Sequence, residues 1–177
     1  AYVAVKKYAG GDVLELAHAT HTAEGAESGA VNSLLMSEPD GLLVIGSDAD
    51  LAGAALEVRK DGRRLPIALL PSGPSDLLRM FGLDRTGVLN ALQTGSRYST
   101  DLGECAIDST IVPFVSHVAA RCRGLSGVGA GRPVVVSIGE RSHQLQSALV
   151  VVTNTQHFKG RTIAPRAAVM DGQLDFQ

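Results

Sequence analysis

Through the first half of the chain, short runs of aliphatic residues alternate with longer stretches whose apolar positions recur at helical spacing. Residues 2–6, 13–19, 42–45 and 67–70 are predicted as strands, and 23–37, 50–60, 75–81 and 86–93 as helices. Strands alternating with helices of this length imply crossover connections and a parallel sheet. The run Gly41-Leu42-Leu43-Val44-Ile45-Gly46 is apolar throughout instead of alternating, which predicts a strand covered on both faces. In open α/β sheets, ligand chemistry gathers beyond the carboxyl ends of such strands. After Gly95 the helical spacing fades. Residues 98–107, 111–116, 133–139 and 145–153 are predicted as strands separated by Gly, Pro and polar turns, so a mainly β region follows the α/β one. The glycine-rich run 124–131 precedes a strand, whereas phosphate-cradling loops follow one, and it reads as a connector.

Composition narrows the function classes. Apolar residues make up 45% of the 177, charged residues 19%, and the net charge is −2, which disfavours a disordered tail and a nucleic-acid binder. With 4% aromatics, no Trp and 20 Gly, the core must be built from Ala, Val, Leu and Ile and the loops from glycine turns. Cys105 and Cys122 supply neither a disulfide framework nor a zinc site, as expected of a reduced, cytoplasmic protein. No apolar stretch approaches the roughly 20 residues of a membrane span, and Ala1-Tyr2-Val3-Ala4-Val5-Lys6-Lys7 lacks the order of a signal peptide. Membrane contact is therefore expected to be peripheral, at the inner membrane surface. The absence of an initiator Met leaves open a processed product or a piece of a longer chain.

Three clusters carry candidate chemistry. Gly46-Ser47-Asp48-Ala49-Asp50 sits between a strand and a helix, where small residues let the backbone approach a phosphate and the helix start offers N–H donors. A carboxylate there can hold Mg²⁺ or a nucleotide; equally, Asp48 or Asp50 can cap the helix, which is the commoner use. A second junction, Pro71-Ser72-Gly73-Pro74-Ser75-Asp76, is expected on the same sheet edge, with Ser75 as a rival N-cap and Pro74 as turn chemistry. The third runs from Asn154 to Arg161 and on to Asp175, with Lys159 and Arg161 as anion-attracting or merely solvated charges and Asp171-Gly172 as a hairpin turn. His18 and His21, three apart without a carboxylate at fixed spacing, are weak evidence for a metal. No Gly-x-Ser-x-Gly elbow occurs, and Cys105 has no recognisable partner pattern.

In this order the clusters resemble the diacylglycerol kinase and sphingosine kinase catalytic-domain family of lipid kinases, in its bacterial form. The family's Gly-Gly-Asp-Gly-Thr loop is similar to Gly46 to Asp50. Its Pro-x-Gly-Thr-x-Asn-Asp turn with a following Arg and Gly-Leu is similar to Pro71 to Asp76 with Arg79, Gly82 and Leu83. Its Val-Asp-Leu-Gly strand resembles Thr100-Asp101-Leu102-Gly103. Its tail of Asn, Gly, Pro-x-Ala and Asp-Gly-x-Leu-Asp matches Asn154, Gly160, Pro165-Arg166-Ala167 and Asp171-Gly172-Gln173-Leu174-Asp175.

The resemblance implies an α/β nucleotide-binding domain of the phosphofructokinase-like kind with a mostly parallel sheet (1–96), then a mainly β, sandwich-like lipid-binding domain (97–177), incomplete at its end. It implies ATP on Gly46, Ser47, Asp48, Ala49, Asp50, Gly73, Ser75 and Asp76, with Thr20 as a further nucleotide contact. It implies Mg²⁺ on Asp171 and the backbone of Ala168 and Gln173, and Asp48 as catalytic base. The expected activity is ATP-dependent phosphorylation of a diacylglycerol-like or sphingoid hydroxyl. The alternative is a catalytically impaired relative that binds lipid or nucleotide as a sensor or partner, or, more distantly, an unrelated α/β binding domain. The alternative draws on departures from the family's pattern. Ser47 and Ala49 stand for glycines, and Asp50 stands for a threonine and places a charge beside the phosphates. That charge would cost roughly 3 kcal/mol at about 5 Å and an effective dielectric near 20. The family's Asn-Pro-x-Ser-Gly segment is replaced by Lys6-Lys7-Tyr8-Ala9-Gly10-Gly11, and the chain reaches Gln177 before the bacterial branch's catalytic carboxylate. A β region ending there leaves strand edges for another chain to cover, so a homo-oligomer is expected.

Overall fold

The computed structural model describes residues 2–7, 14–19, 27–107, 110–121, 132–138, 141–147 and 149–176. Thr20 and the glycine-rich run 124–131 lie outside them.

Strand β1 (Tyr2–Lys7) is separated from β2 (Leu14–Ala19) by residues 8–13, and the two pair antiparallel from Tyr2 opposite Ala19 to Lys7 opposite Leu14. Helix α1 (Glu27–Leu35) precedes β3 (Gly41–Gly46), which pairs antiparallel with β1, so β3 runs in the direction of β2 with β1 between them. Helix α2 (Asp48–Lys60) then crosses to β4 (Ile67–Pro71), parallel to β3 from Leu42 beside Ile67 to Gly46 beside Pro71. The sheet order is β2-β1-β3-β4. The mostly parallel sheet expected from the sequence is therefore a mixed one, with only the β3–β4 pairing parallel. The cause is the length of the first connection: residues 8–13 are too few for a crossover, which needs a dozen or more, so β1 enters as a hairpin arm.

Strand β3 also departs from expectation in its cover. Leu42 and Val44 are buried with Leu69 of β4, whereas Ile45, on the opposite pleat, is 36% exposed. Apolar side chains from α1, α2, α3 (Asp76–Met80) and α4 (Arg85–Thr94) join Leu42, Val44 and Leu69 in one buried cluster. The same cluster takes in Val115 and Val169, with Leu102 packed against it, so the core continues into the β region.

That region contains β5 (Gly103–Ile107), β6 (Thr110–Phe114), β7 (His117–Arg121), β8 (Arg132–Ile138), β9 (Arg141–Ser147), β10 (Leu149–Thr153), β11 (His157–Phe158), β12 (Arg161–Thr162) and β13 (Asp175–Phe176). Strands β5 and β6, β8 and β9, and β11 and β12 form two-stranded sheets, and β10 lies between β13 and β7. Three boundaries differ from the sequence pattern. The first β-region strand starts at Gly103 rather than 98, the run 145–153 divides between β9 and β10, and β7 is an additional strand separated from β6 by the bend at Val115-Ser116. Gly103 belongs where it is because any Cβ there would run into the ring of Phe114, its cross-strand partner.

Candidate functional site

Two strand-end loops meet beyond the carboxyl ends of β3 and β4, where the Ser72 N–H donates to the Gly46 carbonyl at 2.9 Å. Ser47 is the N-cap of α2, and Asp50 closes a capping box. The Ser47 N–H and Oγ donate to Asp50 Oδ2 at 2.7 and 2.6 Å, and the Asp50 N–H donates back to Ser47 Oγ at 3.3 Å. The buried Gly46 permits this, since a Cβ at that position would collide with the Asp50 carboxylate.

Asp48 serves a different helix. Its Oδ1 accepts from Ser75 Oγ at 2.5 Å, and its Oδ2 accepts from the N–H groups of Asp76 and Leu77 at 3.1 Å each. Ser75 itself caps α3, accepting from the Leu78 N–H at 3.0 Å. The first-turn donors of α3 are thus all taken by side chains of the two loops.

Asp76, 7% exposed, carries the connection onward. Its Oδ2 and Oδ1 accept from the N–H groups of Lys159 and Gly160 at 2.7 and 2.9 Å, in the turn between β11 and β12. Both turn residues have positive φ, 49° and 77°, as a two-residue hairpin requires. Arg79 of α3 donates to the Gly160 carbonyl at 3.2 Å. His117 of β7 packs edge-on against Phe158, its Nδ1 3.7 Å from Asp76 Oδ2 and without a hydrogen bond. An open depression of about 530 Å³ lies beside these groups, lined from Pro71 to Ser75 and by Leu78, Arg79 and residues 82–85.

The tail is a separate junction. The Asp171 Oδ1 accepts from the Gln173 N–H at 2.9 Å, so Asp171-Gly172 forms a turn that delivers β13 to β10 instead of closing a two-stranded hairpin. Asp101 Oδ2 accepts from the Gly172 N–H at 2.7 Å, and the Asp101 N–H donates to the Val169 carbonyl at 2.6 Å. Asn154, fully buried, donates through Nδ2 to the carbonyls of Asp101 and Val115, both at 3.2 Å.

Of the site residues read from the sequence, Gly46, Ser47, Asp48, Ala49, Asp50, Gly73, Ser75 and Asp76 come together at the two helix starts. Asp171 and Gln173 meet in the tail turn, which bonds to Asp101, and Ala168 precedes that turn in the chain. Among the described residues, no group of three or more His, Cys, Asp or Glu side chains is placed to hold a metal. The oxygen-only donors at Asp171, Ala168 and Gln173 are nonetheless of the kind a hard divalent cation takes. Sequence reasoning missed His117, which carried no spacing signal, and the joining role of Asp76.

The match to known proteins follows the same layout. Residues 113–177 match the YegS C-terminal NAD kinase beta sandwich-like domain. A crystal structure of a diacylglycerol kinase from Bacillus anthracis str. Sterne superimposes with a TM-score of 0.64 at 18% identity, covering 88% of this chain and 60% of that one. The fold is diacylglycerol-kinase-like. Two structures of a candidate diacylglycerol kinase from the same strain give TM-scores of 0.66 and 0.65 at 17% and 18% identity, covering 88% of this chain and 61% and 59% of theirs. The chain thus spans about 60% of the length of these structures. No curated protein matches it in sequence. The resemblance read from the motifs is borne out in the C-terminal family match and in the fold. No described helix is long and apolar enough to cross a membrane.

Proposed function

We propose that the chain acts as a lipid kinase, transferring the γ-phosphate of ATP to a hydroxyl of a diacylglycerol-like or sphingoid lipid. The observation that carries this reading is the convergence of two strand-end loops and a hairpin turn on α3 through Asp48 and Asp76. Such a junction sets two backbone loops at one cleft edge, the place where phosphoryl transfer needs fixed donors around a developing charge. In the reaction the lipid oxygen bonds to the γ-phosphorus, the bond to the bridging oxygen breaks, ADP leaves, and the hydroxyl proton passes to a carboxylate. Asp48 is the candidate acceptor, and in that role it must release Ser75 Oγ. Gly46, Ser47, Ala49 and Gly73 present backbone to the phosphates, with Thr20 a further nucleotide contact. Asp171 and the carbonyls of Ala168 and Gln173 are the proposed Mg²⁺ ligands, and the cation would supply countercharge and local rigidity.

One observation favours a second reading, a non-catalytic relative that binds lipid or nucleotide. The amides that would greet a phosphate at α3 are already bonded to Asp48 and Ser75, and the Asp50 carboxylate holds the Ser47 amide. The experiment is a titration with ATP and Mg²⁺ followed by phosphate transfer to mixed diacylglycerol and sphingoid lipids. Transfer establishes the kinase. Bound ATP without transfer establishes the second reading, and no binding at millimolar ATP removes the first.

A further inference from the structure

Asp76 is a buried carboxylate held by neutral donors. Its two oxygens accept from the Lys159 and Gly160 N–H groups, and among the described residues the one chargeable group within ion-pair distance of it is His117. A charge taken this far from water ordinarily has a charged partner as well as hydrogen bonds. His117 has the complementary defect. Strand β7 sets it opposite Thr153 of β10, and its ring stands edge-on to Phe158 at 4.8 Å, with 23% of the side chain exposed. Its Nδ1 is buried without a hydrogen bond and lies 3.7 Å from Asp76 Oδ2, about 1 Å more than a charge-assisted hydrogen bond spans. Oδ2 takes one proton, from the Lys159 N–H, and a carboxylate oxygen has room for a second.

Protonation supplies what this pair lacks. A neutral imidazole carries one N–H, on Nδ1 or Nε2, whereas the imidazolium carries both, so the charged ring has a donor at Nδ1 and a positive charge beside the carboxylate. Histidines as a class take up that proton between about pH 8 and pH 5, where carboxylates are ionised. The other charged or titratable groups on the elements packed against this pair are Arg79 on α3, Asp48 on α2, and His157, Lys159 and Arg161 on the β11–β12 hairpin, while β10 has none. Asp48 holds the Asp76 N–H, Arg79 bonds to the Gly160 carbonyl, and the Lys159 ammonium lies 5.5 Å over the Phe158 ring. His157, whose Nδ1 is also buried and unbonded, is the rival for a titration in this range.

We propose that His117 is a proton-operated brace: its imidazolium bonds to Asp76 Oδ2 and tightens the joint between α3 and the β11–β12 hairpin in acid. The bond belongs to the protonated folded protein alone, so its stabilisation is present at about pH 5.5 and is lost as the pH rises to about 8. Nothing in this depends on phosphate transfer, and the test uses neither nucleotide nor lipid. It is amide exchange of the full chain, followed by NMR at those two pH values, each rate divided by the intrinsic rate of an unprotected amide at the same pH. Protection of the Lys159 and Gly160 amides is expected to be about tenfold greater at the lower pH. In His117→Gln, which keeps a donor without a charge, protection should become independent of pH. His157→Gln should retain the full response. In the unaltered protein the His117 ring nitrogens should show an imidazolium with a slowly exchanging Nδ1 proton at the lower pH, a reading that requires no variant to fold. Equal protection at both pH values, an undiminished response in His117→Gln, its loss in His157→Gln, or a His117 Nδ1 proton that exchanges as fast as in free imidazolium overturns the proposal.

Discussion

Asp50 and Asp48 are two residues apart and do opposite things. Asp50 folds back on its own helix, and Asp48 reaches across to the next. The close fit of Gly46 against the Asp50 carboxylate makes the first arrangement testable. Gly46→Ala should push Asp50 out of the capping box and cost about 1 kcal/mol. Combined with Asp50→Ala, which removes the obstacle, it should add almost nothing further, so chemical denaturation of the double variant will show marked non-additivity. Asp48→Ala strips acceptors from Ser75 and from two helix-start amides at once. It should cost about 2–3 kcal/mol, more than Asp50→Ala, as read by the denaturation midpoint. The sequence pointed to capping as the ordinary use of both aspartates. What it could not show was which helix each one caps, because the α3 start is far from Asp48 in the chain and near it only once β3 and β4 pair.

Helix α3 has five residues, too few to hold together by its own hydrogen bonds. It exists because Asp48 and Ser75 fasten its first turn, and because Leu77 and Leu78 are buried in the core. Its neighbour, the β11–β12 hairpin, has arms of two residues, which is why no alternating pattern announced it and why Asp171-Gly172 drew the hairpin expectation instead. The turn chemistry supplies two predictions. Gly160→Ala places a Cβ at φ 77°, 3.2 Å from the Arg79 guanidinium, and should destabilise by about 1–2 kcal/mol in a thermal melt. Lys159→Asn, at φ 49°, puts a residue that tolerates the left-handed region in the first turn position and should raise stability by about 0.5 kcal/mol. The four helices and the strands β3 and β4 were legible from periodicity to within a few residues. The place of β1 between β2 and β3 was not, because alternation reports which face a side chain takes and is silent on which neighbour the strand joins.

Across the whole molecule, the α/β and β regions are held by a few polar contacts laid over a shared core. Arg59 of α2 pairs with Glu104 of β5, Arg79 donates to the Gly160 carbonyl, and Asp76 clasps the hairpin. Asp76→Ala leaves two turn amides without acceptors and should cost about 2–4 kcal/mol, with faster proteolysis between residues 154 and 176 as the local sign. The Asp48 and Asp76 clasps share one short helix, so the two loops are expected to open together. Amide protons of Asp76, Leu77 and Leu78 in the helix, and of Lys159 and Gly160 in the turn, should therefore exchange with solvent deuterium at one common rate. A ligand that slows exchange at the helix should slow it equally at a turn it never touches.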